Sequence, residues 1–163
     1  MTEGERLYFA YGSNMHEPRM RARVPSARAV GAGRIPGLRI AFRKRSRDGS
    51  TKCDLETAPE ETVWGVLYRF AADEQPGLDA AEGEGYAEES VTVATADGLV
   101  EAFTYRAREG WIGEGIPYGW YRDLVVAGAR AHDLPPPYVA ALADLPAADD
   151  PDEDRDAEDR PAD

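Results

Sequence analysis

Two short stretches of this chain bring together a hydrogen-bonding turn and a carboxylate. The first is Tyr8-Phe9-Ala10-Tyr11-Gly12-Ser13-Asn14, a Gly-Ser-Asn turn set directly behind a short apolar segment. Gly12 permits positive φ, and Ser13 and Asn14 can bend the backbone through their own side-chain hydrogen bonds. A concavity of main-chain N–H donors of this kind suits a carboxylate or a developing oxyanion. The second stretch is Leu78-Asp79-Ala80-Ala81-Glu82-Gly83. Leu78 and Glu82 lie four residues apart, so on a helical turn they share one face, and an inward Leu78 carries the Glu82 carboxylate partly out of water. Taken singly, the first is an ordinary tight turn and the second a solvated helix-end glutamate.

The elements that must position these groups follow from periodicity and punctuation. A strand is predicted over 5–11, a helix over 17–23 ended by Pro25, strands over 28–34 and 38–44, and a polar loop from there through Pro59. A strand over 62–70, a helical turn over 73–82 and strands over 88–95 and 99–107 come next. Tyr121, Leu124, Val125, Gly128 and Ala129 form the stripe of an amphipathic helix over 117–132, stopped by Pro135, Pro136 and Pro137. A short helix over 137–145 completes the order. About six strands with few helices predict an α+β fold built on a small barrel-like mixed sheet.

With both motifs present in this order, the chain resembles the γ-glutamylcyclotransferases, which carry a Tyr-Gly-Ser-Asn turn after the first strand and a later Asp-x-x-Glu-Gly segment. The Trp64-Gly65-Val66-Leu67-Tyr68 strand, the Phe103-Thr104-Tyr105 segment, and Tyr121 followed by Leu124 to Ala129 and by Leu134-Pro135 match further landmarks, so the resemblance covers roughly residues 5–145. It implies an internal cyclisation of an N-terminal γ-glutamyl group to 5-oxoproline with release of an amino acid or amine. It also implies Glu82 as general base and acid, Tyr11, Gly12, Ser13 and Asn14 as donors to the substrate, and Tyr8, Phe9 and Ala10 as the floor beside them. Tyr105 would reach the substrate through its hydroxyl, supported by Tyr121. No cofactor or metal is required, and a homodimer is implied. The stretch Gly83 to Glu88 is shorter than the family loop, which leaves the leaving-group side open. The alternative from another class is a non-catalytic binding module on the same scaffold, but such a module has no need of Glu82.

Other chemistry is poorly supplied. Ser13 as a nucleophile has only His16 and His132 to serve as base, and one cysteine with two separate histidines lacks metal-ligand spacing. The basic run Arg43-Lys44-Arg45-Ser46-Arg47 reads as a solvated loop, with capture of a substrate carboxylate or of the acidic tail as the sharper alternative.

At 163 residues the chain suits one domain, expected over 1–145. The last eighteen residues, 146–163, hold nine acidic side chains, two arginines and no aromatic or β-branched residue, and are expected to be a disordered acidic tail. The tail carries −7 of the formal −12, so nucleic acid is not an expected partner. The lone Cys53 and the lack of any long apolar run point to a cytoplasmic protein with no membrane partner, acting on a small γ-glutamyl molecule.

Overall fold

Apolar and aromatic side chains crowd the segment Glu5–Ala10, and in a computed structural model, which describes residues 4–152, this segment is β1. Four consecutive residues, Leu7 to Ala10, are buried, as required of a strand covered on both faces. The strand lies between β3 (Thr51–Ala71) and β5 (Gly98–Ala107) in a closed barrel of order β1-β3-β2-β4-β5. It runs antiparallel to β3, with Tyr8 opposite Tyr68, and parallel to β5, with Tyr8 opposite Phe103. Strand β2 (Arg28–Arg45) and β4 (Tyr86–Thr95) complete the circuit. The α+β barrel expected from the sequence is therefore the observed architecture.

One difference concerns the region expected as two strands and a polar loop. Residues 28–45 form one strand, and the chain turns over only 46–50 before β3 begins, giving five strands rather than about six. The polar residues of 51–60 are strand because charges pair across the hairpin: Arg39 with Glu56 at 2.8 Å, and Arg43 with the buried Asp54 at 2.7 Å. Register shifts lie between Ala29 and Gly31, Pro36 and Leu38, and Phe42 and Lys44. The last is a bulge at Arg43, after which Lys44 pairs with Lys52.

Helix α1 (Glu17–Arg23), α2 (Gln75–Glu82), α3 (Gly119–Ala131) and α4 (Pro136–Ala143) flank the barrel. The core joins Phe9, Tyr68, Phe70 and Phe103 of the strands to Met15, Met20 and Leu78 of the turn and helices, all nearly or fully buried. Gly128 of α3 lies against the 3-10 turn Ser13–Met15, where a Cβ would stand 2.4 Å from the Met15 carbonyl carbon. The helix thus clamps the turn by close backbone approach.

The chain beyond Leu145 continues along the start of α3. The Gly119 N–H donates to the Ala148 carbonyl at 2.8 Å, and Trp120 Nε1 donates to Asp150 Oδ2 at 2.9 Å. The folded body therefore runs past the boundary expected at 145, through main-chain pairing that composition does not reveal. The remainder of the expected tail, 153–163, lies outside the described residues. Among the described residues no helix is long and apolar enough to cross a membrane.

Candidate active site

Glu82 is the last residue of α2, and the helix stops there because Gly83, at φ 84°, turns the chain away while its N–H closes on the Asp79 carbonyl at 2.9 Å. Leu78, one turn earlier, is fully buried, and the Glu82 side chain is only 16% exposed. Burial raises the Glu82 pKa above the ordinary glutamate value, and the guanidinium of Arg23, then Arg19 and Lys44, hold the rise in check. Its place at a helix C-terminus, where the dipole is negative, acts in the same upward direction.

The carboxylate opens into a cavity of about 170 Å³ between the barrel mouth, the turn, α1 and α2. Of the residues expected in the site, Tyr8, Tyr11, Gly12, Ser13, Asn14, Glu82, Tyr105 and Tyr121 line it. Phe9 and Ala10 do not: both are fully buried, since strand alternation turns Phe9 away from Tyr8 and into the core, where it packs close to Gly65. Neither His16 nor His132 lines the cavity.

The turn is braced from α1. The first bond of the turn runs from the Met15 N–H to the Gly12 carbonyl at 3.0 Å, so the N–H groups of Ser13 and Asn14 precede its internal bonding. Arg19 Nε donates to Ser13 Oγ at 3.2 Å, and Arg23 Nη1 donates to Asn14 Oδ1 at 2.9 Å and to Glu82 Oε2 at 3.2 Å. Asn14 Nδ2 in turn donates to the Tyr8 hydroxyl at 3.0 Å.

The tyrosines form a fixed wall. Tyr105 donates its hydroxyl to Asp79 Oδ1, one turn before Glu82, and burial together with this bond raises its pKa. Tyr11 donates to the Tyr105 carbonyl and Tyr86 to the Cys53 carbonyl, each at 2.6 Å, while the Tyr121 hydroxyl accepts the Cys53 N–H at 3.3 Å. Burial pushes the Cys53 thiol up to about 12, so it is held as a neutral wall group.

Reasoning from sequence missed Arg19, Arg23, Lys52, Cys53, Ala81 and Tyr86, and gave Lys44 and Ser46 only as members of a basic run. Only that run carried a signal, because the others are brought in by packing of separate elements. The cavity is thus lined by Arg19, Arg23, Lys44 and Lys52 against the single carboxylate of Glu82, although the whole chain carries −12. Walls of one sign and low dielectric attract an anionic molecule into such a cleft.

A closed barrel with one desolvated carboxylate at a small cationic cavity is a small-molecule site built for acid–base chemistry. Residues 62–142 match the AIG2-like family. The gamma-glutamylcyclotransferase of Mus musculus is 30% identical over 150 residues, covering 86% of this chain and 79% of the mouse protein. That of Bos taurus is 29% identical over 147 residues, covering 83% and 76%. A solved structure of a gamma-glutamyl cyclotransferase matches with a TM-score of 0.81 at 26% identity, covering 89% of this chain and 90% of the other. The chain belongs to the gamma-glutamylcyclotransferase family.

Proposed function

We infer that the protein is a γ-glutamylcyclotransferase that closes an N-terminal γ-glutamyl group to 5-oxoproline and releases an amino acid or amine. The observation that carries this reading is the Glu82 carboxylate, mostly buried, at a cavity that the Tyr11–Asn14 turn also lines. The substrate's α-ammonium gives a proton to Glu82, and the amine attacks the γ-carbonyl carbon. The carbonyl π electrons move to oxygen as the new C–N bond forms. Glu82 returns this proton to the leaving nitrogen, and the oxyanion's electron pair re-forms the carbonyl as the scissile C–N bond breaks with its pair going to that nitrogen. Glu82 then takes the second proton from the ring nitrogen and passes it to the departing amine, which leaves as an ammonium, so protons and electrons balance.

Arg19, Arg23 and the turn supply positive charge and N–H groups for the α-carboxylate and the oxyanion. Holding the glutamyl chain folded for five-membered ring closure is worth up to roughly 7–11 kcal/mol, so positioning carries much of the rate. The Tyr105–Asp79 bond keeps Tyr105 as a wall that orients substrate, in place of a free hydroxyl contact. The reaction needs no cofactor and takes a small-molecule partner; a cytoplasmic setting rests on the lone Cys53 and the lack of a long apolar run, and a homodimer on the family resemblance alone.

The test is 5-oxoproline release from a panel of γ-glutamyl amino acids and amines by the wild type and Glu82→Gln. Release that collapses in the variant supports the reading. No release from any member by a folded wild type overturns it.

A further inference from the structure

Of the two cations of the cavity that the proposed reaction leaves unused, Lys44 and Lys52, Lys52 is paired with Asp48. Lys44 is only 8% exposed, and the carboxylates nearest it in charge, Glu82 and Asp48, are ion-paired with Arg23 and Lys52. Its neighbours in charge are already engaged: Lys52 with Asp48 at 2.8 Å, Arg47 with Glu84, and Arg23 with Glu82. What holds the Lys44 ammonium is aromatic, since Nζ lies 4.9 Å from the Tyr86 ring centre and 4.8 Å from that of Trp111.

The seat is built for the side chain. A Cβ on Gly85 would stand 2.5 Å from Lys44 Cε and 2.8 Å from Trp111 Cδ2, so the space for this stem depends on glycine there. The bulge at Arg43 sets Lys44 beside Lys52 across the hairpin, a like-charge pairing that costs stability. Burial, and then Lys52, lower the Lys44 pKa, and the Glu82 and Asp48 carboxylates only partly oppose this. A buried cation so placed gains most from an anion that arrives with a ligand.

Position selects which anion. Lys44, Ser46 and Glu82 line both the main cavity and an adjoining groove of about 370 Å³, which Gly85, Trp111 and the paired Arg47 and Glu84 also border. The turn and the arginines of α1 lie on the main cavity alone, where the glutamyl part is held. In the cyclotransferase reading, this leaves the groove beside Lys44 for the group that departs past Glu82.

We propose that Lys44 receives the carboxylate of the leaving amino acid and so sets a preference for γ-glutamyl α-amino acids over γ-glutamyl amides and amines. This rests on the cyclotransferase reading above.

The experiment measures 5-oxoproline release from γ-glutamyl-alanine, γ-glutamyl-alaninamide and γ-glutamyl-ethylamide by the wild type and by Lys44→Met. The wild type is expected to favour the acid over its amide by about tenfold or more in kcat/KM, the scale of one charge-assisted hydrogen bond. In Lys44→Met that ratio falls to near one. Lys44→Gln serves if the methionine variant does not fold, and the wild-type ratio requires neither. Equal release of acid and amide by the wild type overturns the role of Lys44 while leaving the cyclotransferase intact. So does an unchanged ratio in a folded variant, or a proportionate loss on all three substrates, which would mark Lys44 as a proton donor or a packing residue. No release from any substrate by the wild type overturns both readings.

Discussion

Arg23 Nη1 lies 3.2 Å from Glu82 Oε2 and, through the same nitrogen, 2.9 Å from Asn14 Oδ1. One guanidinium therefore ties the end of α2 to the turn after β1, two segments far apart in sequence. The carboxylate stays desolvated enough to take a proton, yet keeps a partner that limits the cost of its charge. Removing the acid–base group while preserving shape tests this arrangement most directly. Glu82→Gln is expected to lower 5-oxoproline release by about 10²-fold or more, with an unchanged circular dichroism spectrum.

The pH dependence follows from the direction of the Glu82 shift. Glu82 must begin as carboxylate, so kcat/KM falls as the pH drops through its pKa, and burial places that acid limb above the roughly 4.3 of free glutamate. Arg23→Met removes the largest opposing influence and moves the limb to higher pH. The same shift enters stability with a definite sign. A folded-state pKa above the unfolded value favours folding below about 4.3, and that contribution is lost as the pH rises through the folded value. Denaturant midpoints of Glu82→Gln against pH should lack this slope.

Asp79 and Tyr105 act as a unit, because the Tyr105 hydroxyl is donated to Asp79 Oδ1. Asp79→Asn and Tyr105→Phe are each expected to lower kcat/KM, and the double variant should lose less than the sum of the two free-energy losses. A double-mutant cycle on initial rates gives the answer, and full additivity would mean that the bond has no part in shaping the wall.

Gly128→Ala drives a methyl group into the backbone of Met15 and His16, where a Cβ would stand 2.4 to 2.5 Å from main-chain atoms. A rigid main chain cannot swing aside, so a loss of about 1–3 kcal/mol in unfolding free energy is expected from urea titration. Activity should fall as well, since the displaced segment is the donor turn.

Cys53 should resist alkylation in the native protein. Its thiol is buried and pushed up to about 12, so little thiolate exists at neutral pH. Mass spectrometry after iodoacetamide treatment should show the free thiol under native conditions and full modification in denaturant.

By itself the sequence determined the parts whose causes are local. An apolar strand ending in Gly-Ser-Asn, a helical turn that buries Leu78 and brings Glu82 with it, and the stripe of α3 each follow from a few neighbouring residues. Those local signals pointed to the turn at Gly12 to Asn14 and to Glu82, and the family resemblance added Tyr8, Tyr11, Tyr105 and Tyr121; all of these line one cavity. Phe9 and Ala10, which the resemblance also implied, do not line it: alternation turns Phe9 to the strand face opposite Tyr8, and Ala10, on the face of Tyr8, is fully covered by its neighbours. The β2–β3 hairpin was hidden for a related reason: its far end is polar, and ion pairs such as Arg39–Glu56 and Arg43–Asp54 hold it only once the register exists. Tertiary structure alone decided the charge of the site. Arg23 comes from α1, Lys44 and Lys52 from opposite strands beyond a bulge, and Tyr86 from β4, and no local period relates them. Barrel closure brings them to one mouth, turning a chain of net charge −12 into a cavity walled by four cations and a single carboxylate.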